Sequence, residues 1–428
     1  MESWSSPAVP GLPPAPESLE LYSTPNGSTL TTTARDGIAS LYVCGITPYD
    51  ATHLGHANTY VHFDLLVRYW RACGLQVQYV QNVTDIDDPL LERAAATGVD
   101  WQELAESQVQ LFREDMEALQ VIPPTEYLGA VEMIPAVVED VERLLELGIA
   151  YPVPAEDAET EDYYFDIAAA QQRTDWQLGS IGGYDRAAME ELFPQRGGDP
   201  HRAGKRDPLD PLLWRAAREG EPQWPGGELG HGRPGWHIEC SVIARRHLPA
   251  PFTVQGGGSD LRFPHHEFSA AHATAADGVP LAERYMHTGM VGLEGEKMSK
   301  SRGNLVLVSG LREQGVDPQA IRTLILSHHW REDWDYTETA LQRAQDRLAR
   351  WKHALTQAPE HDDAAAPEDL QYALMSALGH NLNAPAALDT LDMWASGQTA
   401  GSTGAARVRG VVLALLGLDL SAQGVCGA

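Results

Sequence analysis

The feature that most constrains the fold is a strand–helix–strand unit near the N-terminus, with a polar loop at its centre. Residues 41–46 form a short apolar run, and apolar side chains from Ala57 to Cys73 recur at helical spacing before Gly74, which can end a helix. Residues 76–83 then carry apolar side chains among polar ones, as a strand does. In a parallel α/β sheet, ligands gather at the carboxyl ends of the strands. The loop after the first strand is therefore the expected binding edge.

Two short motifs supply chemistry at that edge. His53-Leu54-Gly55-His56 lies just before and at the start of the predicted helix, whose first N–H groups and positive dipole end attract phosphate. Lys297-Met298-Ser299-Lys300-Ser301 follows roughly 240 residues later and supplies mobile positive charge. Either motif alone is typical of a surface loop. Both together, in this order, predict a nucleotide site with His53, His56, Lys297 and Lys300 as catalytic residues and Gly55 allowing close approach of the adenine.

Composition narrows the classes of protein to consider. The 428 residues allow two or three domains, and four cysteines do not make a disulfide framework in a chain of this size. The longest apolar run, residues 411–418, is too short to span a bilayer, and residues 1–20 lack the features of a signal peptide. We therefore expect a cytoplasmic protein without membrane contact. Nothing in the sequence indicates an obligate interface, so we expect a monomer.

The net charge of the chain bears on whether it binds tRNA. The formal net charge is −29. A protein that binds a whole tRNA normally offers a basic surface, because neutralising phosphates supplies much of the affinity. An acidic proteome would also give acidic proteins, and a local basic patch can survive a negative total. The charge therefore disfavours tRNA as a partner without excluding it.

Five blocks place these motifs in a family context: YVCGITPYDATHLGHA, YVQNVTDIDDP, PGWHIECS, GGGSDLRFPHHE and EKMSKSRGN. Through them, residues 41 to about 330 resemble the cysteinyl branch of the class I aminoacyl-tRNA synthetases. The resemblance implies an α/β fold with a Rossmann (HUP-type) parallel sheet, an insertion, a stem-contact region and a helical C-terminal domain. The expected divisions are an N-terminal arm (1–40), the first Rossmann half (41–120), a connective insertion (121–205), the second Rossmann half (206–275), the stem-contact region with the lysine loop (276–330) and the helical domain (331–428).

The same resemblance implies a zinc site with Cys44, Cys240 and His265 as ligands. Their wide spacing is not diagnostic by itself and would otherwise favour buried structural cysteines. A Cys₂His set leaves one tetrahedral position open, and zinc prefers a soft thiolate to a hydroxyl, so a bound zinc would select cysteine over serine. Synthetases of this branch usually read HHENE, whereas Ser269 occupies the position of the second glutamate. His266 and Glu267 are alternative ligands, but we expect three protein ligands.

Motif matching further implies which residues hold a cysteinyl adenylate. Trp236 and Asp260 also have plainer interpretations, as a packing aromatic and a loop carboxylate. ATP is the expected substrate with Mg²⁺, although no motif identifies the magnesium ligands. Asp50, His53 and Glu267 are unranked candidates for a general base. The implied adenylate-binding residues are Cys44, Gly45, Ile46, Thr47, Gly55, Thr59, Asn82, Val83, Thr84, Trp236, Gly258, Ser259 and Asp260, with Val291 expected to meet the adenine.

Three features argue against tRNA charging. Residues 331–428 are short for an anticodon-reading domain, and their seven Lys and Arg against thirteen Asp and Glu give a net charge of −6. The segments 45–50 and 196–200 resemble the paralogous cysteine ligases of mycothiol biosynthesis, apart from Gln195, where those ligases usually have glutamate. That resemblance implies ATP-dependent ligation of L-cysteine to the amine of glucosaminyl-inositol through cysteinyl adenylate. A short acidic cysteinyl-tRNA synthetase is the alternative, and a non-catalytic synthetase-like protein is a third possibility.

Overall fold

The computed structural model describes residues 1–15, 18–32, 34–49, 52–298, 303–359, 369–397 and 404–421. Lys297 is described through its backbone alone. Two residues predicted from the sequence, the catalytic Lys300 and the candidate base Asp50, lie outside the described residues.

Strands and helices alternate along most of the described chain, and helices alone follow the last strand. The strands are β1 (Glu20–Ser23), β2 (Ser28–Thr31), β3 (Ile38–Val43), β4 (Gln76–Val83), β5 (Glu126–Gly129), β6 (Ala150–Val153), β7 (Asp162–Phe165), β8 (Leu212–Ala216), β9 (Gly232–Pro234), β10 (Phe252–Gly258), β11 (Ala282–Thr288), β12 (Val291–Leu293), β13 (Glu296–Lys297) and β14 (Trp334–Tyr336). The helices are α1 (Leu54–Ala72), α2 (Asp88–Thr97), α3 (Trp101–Ala118), α4 (Ile134–Glu146), α5 (Ile167–Arg173), α6 (Arg186–Gln195), α7 (Trp236–His247), α8 (His265–Asp277), α9 (Val308–Glu313), α10 (Pro318–Leu326), α11 (Glu338–Gln357), α12 (Asp369–Gly379), α13 (Ala384–Ala395) and α14 (Ala405–Leu416).

A five-stranded parallel sheet lies at the centre, in the order β11-β10-β3-β4-β5. β3 is almost entirely buried, as expected for a strand covered on both faces. From β3 the chain adds β4 and β5 on one side, and later β10 and β11 on the other. The carboxyl ends of β3 and β10 therefore flank the point where the strand order reverses, which is where such sheets bind ligands. The predicted strand–helix–strand unit is confirmed.

Helix α1 connects β3 to β4 and is buried along nearly its whole length between the sheet and helices from the C-terminal part of the chain. His53 is its N-cap, and the predicted stop at Gly74 is confirmed, because that glycine adopts a φ of +80°. Among the described residues, no helix combines the length and the apolar character that a membrane crossing requires.

A buried ion cluster joins α1 to the C-terminal helices. Arg68 Nε donates to Asp64 Oδ2 at 2.7 Å, and Arg322 of α10 forms a second ion pair with the same carboxylate. The same two arginines donate to the last carbonyls of α14, with Arg68 bonding Leu413 at 2.7 Å and Arg322 bonding Leu416 at 2.6 Å. The helical C-terminal region expected from the sequence is thus attached to the first half of the sheet.

The segment between the two sheet halves carries an antiparallel sheet, β6-β7-β8-β9. The expected limits of this insertion, residues 121 and 205, differ from the division between the two sheets that the strand pairing shows. β5 pairs with β4 in the central sheet, and β8 and β9 belong to the small sheet although they lie beyond residue 205. These strands have three to five residues each, too few to reveal from local pattern which sheet they join.

The N-terminal residues expected to form an arm are packed against the body of the protein. Trp4 is buried, and its indole N–H donates to the Val121 carbonyl at 2.7 Å. β1 and β2 form a hairpin, and the Thr24 N–H of that hairpin donates to the Tyr285 carbonyl of β11 at 3.0 Å. The hairpin therefore lies against the edge strand of the central sheet.

Candidate active site

The segment after β3 is held between its two neighbouring strands. The Cys44 N–H donates to the Gly256 carbonyl of β10 at 3.0 Å, and the Gly45 N–H donates to Asn82 Oδ1 of β4 at 2.8 Å. A Cβ on Gly45 would lie 1.5 Å from the Asn82 carbonyl oxygen, so only glycine fits there. This close approach fixes the position of Cys44 at the reversal point of the sheet.

The predicted residues at the carboxyl end of β4 support the same segment. Asn82 Oδ1 also accepts from the Tyr42 hydroxyl at 3.0 Å, and Asn82 Nδ2 donates to Thr84 Oγ1 at 3.2 Å. The Thr84 N–H donates to the Ile46 carbonyl at 3.0 Å, and Val83 is fully buried. The Asn82 amide is thus engaged in holding the Cys44–Thr47 segment in place.

The histidine motif forms the N-terminus of α1. The rings of His53 and His56 are stacked with centroids 3.9 Å apart, and His53 Nδ1 accepts from the Gly55 N–H at 3.0 Å. A Cβ on Gly55 would lie 2.7 Å from the His53 ring, which accounts for glycine between the two histidines. One turn on, Thr59 Oγ1 lies 2.8 Å from Thr288 Oγ1 at the carboxyl end of β11.

The chain just after the lysine motif pairs with the histidine motif. The Leu54 N–H donates to the Val306 carbonyl at 2.9 Å, and the Val308 N–H donates to the Thr52 carbonyl at 3.0 Å. On the other side of the lysine motif, Lys297 pairs through its backbone with β12. The segment that follows the lysine motif is therefore hydrogen-bonded to the chain at the histidine motif.

The three residues predicted to bind zinc lie together. Cys44 follows β3, Cys240 lies on α7 and His265 begins α8, and their potential ligand atoms are all within 4.8 Å of one another. The two sulfur atoms are 3.8 Å apart. In a tetrahedral site with zinc–sulfur bonds of about 2.3 Å, two sulfur ligands lie about 3.8 Å apart. The donor set and its spacing therefore fit zinc.

Electrostatics distinguish the two thiols. Burial opposes ionisation of both. For Cys240, hydrogen bonds from Cys44 and His265 together with the electrostatic interaction with His265 outweigh burial and hold the thiol pKa well below its usual range. For Cys44, burial comes first and the neighbouring Cys240 adds to it, so the thiol pKa is raised. The pKa values of the two thiols are therefore shifted in opposite directions, and Cys240 is the easier of the two to ionise.

Ser269 and Glu267 both make contacts that occupy their side chains. The Ser269 hydroxyl donates to the His265 carbonyl at 2.7 Å and is fully buried. Glu267 accepts four hydrogen bonds from a loop of the insertion, donated by the Trp176 indole and by the N–H groups of Gly179, Ile181 and Gly182. These contacts favour a site with three protein ligands and give Glu267 a role in anchoring that loop.

The remaining predicted residues lie around this centre. Trp236 begins α7, and its ring stacks on His265 with centroids 4.4 Å apart. Gly258 ends β10, and Ser259 and Asp260 form the short 3₁₀ turn that follows. The Val291 side chain is only 1% exposed and packs in the main hydrophobic core, so it offers little surface to an adenine.

Several contacts of the site escaped prediction. Arg196, from the motif at residues 196–200, donates to the Asp260 carbonyl at 2.7 Å. His266 Nε2 lies 3.2 Å from Cys44 Sγ, and His237 Nδ1 lies 3.1 Å from His265 Nδ1. His266 itself was named from the sequence as an alternative ligand, but its contact with Cys44 was not predicted. His237 adjoins Trp236 in the chain, but no sequence signal assigns it to the candidate metal site.

Comparison with known proteins agrees with this geometry. Residues 30–346 match the family described as tRNA synthetases class I (C) catalytic domain. The chain is 61% identical over 425 residues to the L-cysteine:1D-myo-inositol 2-amino-2-deoxy-alpha-D-glucopyranoside ligase of Micrococcus luteus, covering 98% of this chain and 100% of that protein. It is 55% identical over 430 residues to the ligase of the same name from Paenarthrobacter aurescens, again covering 98% and 100%.

Solved structures agree on the fold. Two structures of Mycobacterium tuberculosis methionyl-tRNA synthetase with methionyl-adenylate resemble the chain, with TM-scores of 0.59 and 0.62 at 18% and 17% identity. The first match covers 88% of both chains, and the second covers 89% of this chain and 92% of the other. The chain belongs to the family of L-cysteine:1D-myo-inositol 2-amino-2-deoxy-α-D-glucopyranoside ligases, which is built on a class I aminoacyl-tRNA synthetase catalytic domain.

Proposed function

We propose that this ligase activates L-cysteine with ATP and joins it to the 2-amine of glucosaminyl-inositol, releasing AMP and pyrophosphate. The observation that carries the proposal is the Cys44–Cys240–His265 cluster, which lies at the reversal point of the sheet. Its member Cys44 lies shortly before the histidine motif in the chain. A metal site that recognises a thiol and a site that handles a nucleotide thus share one edge of the sheet. The names of the relatives from Micrococcus luteus and Paenarthrobacter aurescens support the same substrates.

Selection of cysteine follows from the donor set. A zinc ion bound by Cys44, Cys240 and His265 would hold the substrate thiolate in its open position and would discriminate against serine, whose hydroxyl is a poor ligand for a thiolate-rich site. Ser269 supports this arrangement, because its hydroxyl donates to the His265 carbonyl and leaves the fourth position to the substrate. Discrimination at the metal would make a separate editing site unnecessary.

Activation requires charge stabilisation at the triphosphate. The carboxylate oxygen of cysteine attacks the α-phosphorus of ATP, cysteinyl adenylate forms and pyrophosphate leaves. We propose that His53 and His56, at the positive dipole end of α1, contact the phosphates. Lys297 and Lys300 are proposed to close over the departing pyrophosphate, with Mg²⁺ bound to ATP. The Cys44–Thr47 segment, Thr84 and the Gly258–Asp260 turn would hold the adenylate.

Transfer follows on the same site. The neutral amine of the acceptor attacks the acyl carbon, an amide bond forms, AMP leaves and the amine loses a proton. Among the candidate bases, Glu267 is disfavoured because its two oxygens already accept four hydrogen bonds. Positioning and electrostatics then supply most of the rate enhancement.

A small sugar acceptor suits the charge of this protein. The net charge of −29, and of −6 over residues 331–428, opposes the approach of a polyanion. We place the reaction in the cytoplasm, where ATP and L-cysteine are available. We also propose a monomer, because the candidate site is assembled from one chain, and light scattering on the purified protein tests this.

The acceptor is tested by incubating the protein with ATP and radiolabelled cysteine in parallel with glucosaminyl-inositol and with tRNA. We expect label on the sugar with equimolar AMP, and unlabelled tRNA. Label on tRNA alone would identify the chain as a short cysteinyl-tRNA synthetase. Serine in place of cysteine is the control for metal-based selection and is expected to give no product.

A further inference from the structure

A line of buried hydrogen bonds runs from Cys44 away from the candidate site. His266 Nε2 lies 3.2 Å from Cys44 Sγ, and His266 Nδ1 lies 2.8 Å from His287 Nε2. The line ends at the hairpin of β1 and β2, where Thr24 Oγ1 lies 2.7 Å from His287 Nδ1. Both imidazoles are buried, with exposed fractions of 0% and 6%.

The chemistry of a metal-bound cysteine sets the direction of these bonds. A cysteine that ligates zinc is a thiolate, which accepts hydrogen bonds and donates none. His266 must then donate through Nε2–H to Cys44, which leaves its Nδ1 as an acceptor. His287 must donate to that nitrogen through Nε2–H, and its own Nδ1 accepts from the Thr24 hydroxyl. Every donor in the line therefore points towards the sulfur.

We propose that Thr24 and His287 are positioning residues for the zinc site. The Cys44 thiolate requires a donor from His266, His266 then requires a donor from His287, and the Thr24 hydroxyl donates to His287 Nδ1 and so stabilises the tautomer that the thiolate selects. Outer partners of this kind orient a metal ligand and tune how firmly it holds the ion. The inference rests on the proposed function to the extent that the function places zinc on Cys44.

The backbone holds Thr24 in register with this line. The Thr24 N–H donates to the Tyr285 carbonyl, two residues before His287 on β11. The hairpin is thus attached to the edge strand at the point where its hydroxyl meets the imidazole. The N-terminal hairpin thus supports the zinc site although it is distant in the sequence from the residues proposed to bind the metal.

The test replaces Thr24 by valine, which keeps the shape and removes the hydroxyl. Thr32→Val is the matched control, because Thr32 lies at the end of the same hairpin and its hydroxyl donates to the Leu19 carbonyl instead. Thr24→Ser, which retains a hydroxyl, is the conservative rescue. His287→Phe removes both ring nitrogens and serves as the second variant.

Two measurements report on metal binding independently of enzymatic activity. The first is the rate at which a coloured chelator removes zinc, and the second is the sulfur-to-cobalt charge-transfer band of the Co²⁺-substituted protein. Removal of an outer partner costs about 10–100-fold in metal affinity. We expect zinc release at least several-fold faster and a shifted cobalt band for Thr24→Val, a larger effect for His287→Phe, and wild-type behaviour for Thr32→Val and Thr24→Ser.

The outcomes separate the two proposals. Wild-type zinc release and an unshifted band in both Thr24→Val and His287→Phe would overturn the inference while leaving the proposed function intact. A wild-type protein that binds no zinc would overturn the metal part of the proposed function together with this inference. A lower melting temperature of Thr24→Val with unchanged metal properties would reduce Thr24 to a packing role and would also overturn the inference.

Discussion

The sulfur atoms of Cys44 and Cys240 lie 3.8 Å apart, although 196 positions separate them in the chain. Cys44 is fixed by the pairing of its segment with β10 and β4, and Cys240 by its place on the buried α7. The fold itself therefore brings the two thiols to the separation that a tetrahedral metal requires. A site preformed to this degree loses little entropy when it binds the ion.

Removing one sulfur ligand should strongly weaken metal binding. We expect wild-type protein to carry one zinc per chain and Cys240→Ser to carry far less, because a hydroxyl replaces a thiolate ligand. Elemental analysis of protein purified without chelators measures this. Ser269→Ala is the control and should retain its zinc, since its hydroxyl donates to a backbone carbonyl. Full zinc occupancy in Cys240→Ser would show that the metal site lies elsewhere.

Substitutions in the two nucleotide motifs should impair adenylate formation without loss of zinc. His56→Ala and Lys300→Ala should each slow cysteine-dependent exchange of pyrophosphate into ATP by about 100-fold or more, because each removes charge stabilisation at the triphosphate. Zinc content should stay at the wild-type level in both variants. Exchange at the wild-type rate in the two variants would mean that the active site is misplaced.

Gly45 should tolerate no side chain. A methyl group there would meet the Asn82 carbonyl oxygen at 1.5 Å, so Gly45→Ala must displace β4 or the segment that carries Cys44. We expect a lower melting temperature together with reduced zinc occupancy. Gly410→Ala is the matched control, because no atom lies within 4 Å of its added Cβ and alanine favours the helix by about 1 kcal/mol. Equal melting temperatures for the two variants would contradict this packing.

The Asp64 cluster predicts a stability loss in acid. Burial alone would raise the Asp64 pKa, but Arg68, Arg322 and the Ile122 N–H outweigh it and lower the pKa below the ordinary value. A depressed pKa adds stability above the unfolded-state value of about 3.9, and this stability is lost as the pH falls through the folded-state pKa. Urea unfolding at a series of pH values measures the loss, which should be smaller in Asp64→Asn because that variant lacks the contribution of this carboxylate.

At neutral pH, Asp64→Asn should cost about 3–5 kcal/mol, because two buried guanidinium groups lose their counter-charge. Asp389→Asn, which removes an exposed partner of Arg347, should cost no more than about 1 kcal/mol. Similar unfolding free energies for the two variants would show that the buried cluster is not a principal attachment of the C-terminal helices.

Local patterns predicted the elements that surround the site, and packing decided the rest. The helix from His53 to Gly74 could be predicted because its cap, periodicity and stop lie within twenty-two consecutive residues. Only the family resemblance predicted a shared site for Cys44, Cys240 and His265, because their spacing in the sequence is not diagnostic. Thr24 and His287 could not be found, because a hydroxyl and an imidazole 263 residues apart meet only once the hairpin packs on β11.

The most direct test of the account is a single-turnover chase. Protein holding labelled cysteinyl adenylate is freed of ATP by gel filtration and then mixed with glucosaminyl-inositol or, separately, with tRNA. We expect that label passes to the sugar amine in one exponential phase, with one AMP released per labelled product, and that tRNA leaves the adenylate intact. Label that stays on the protein with the sugar but passes to tRNA would contradict it.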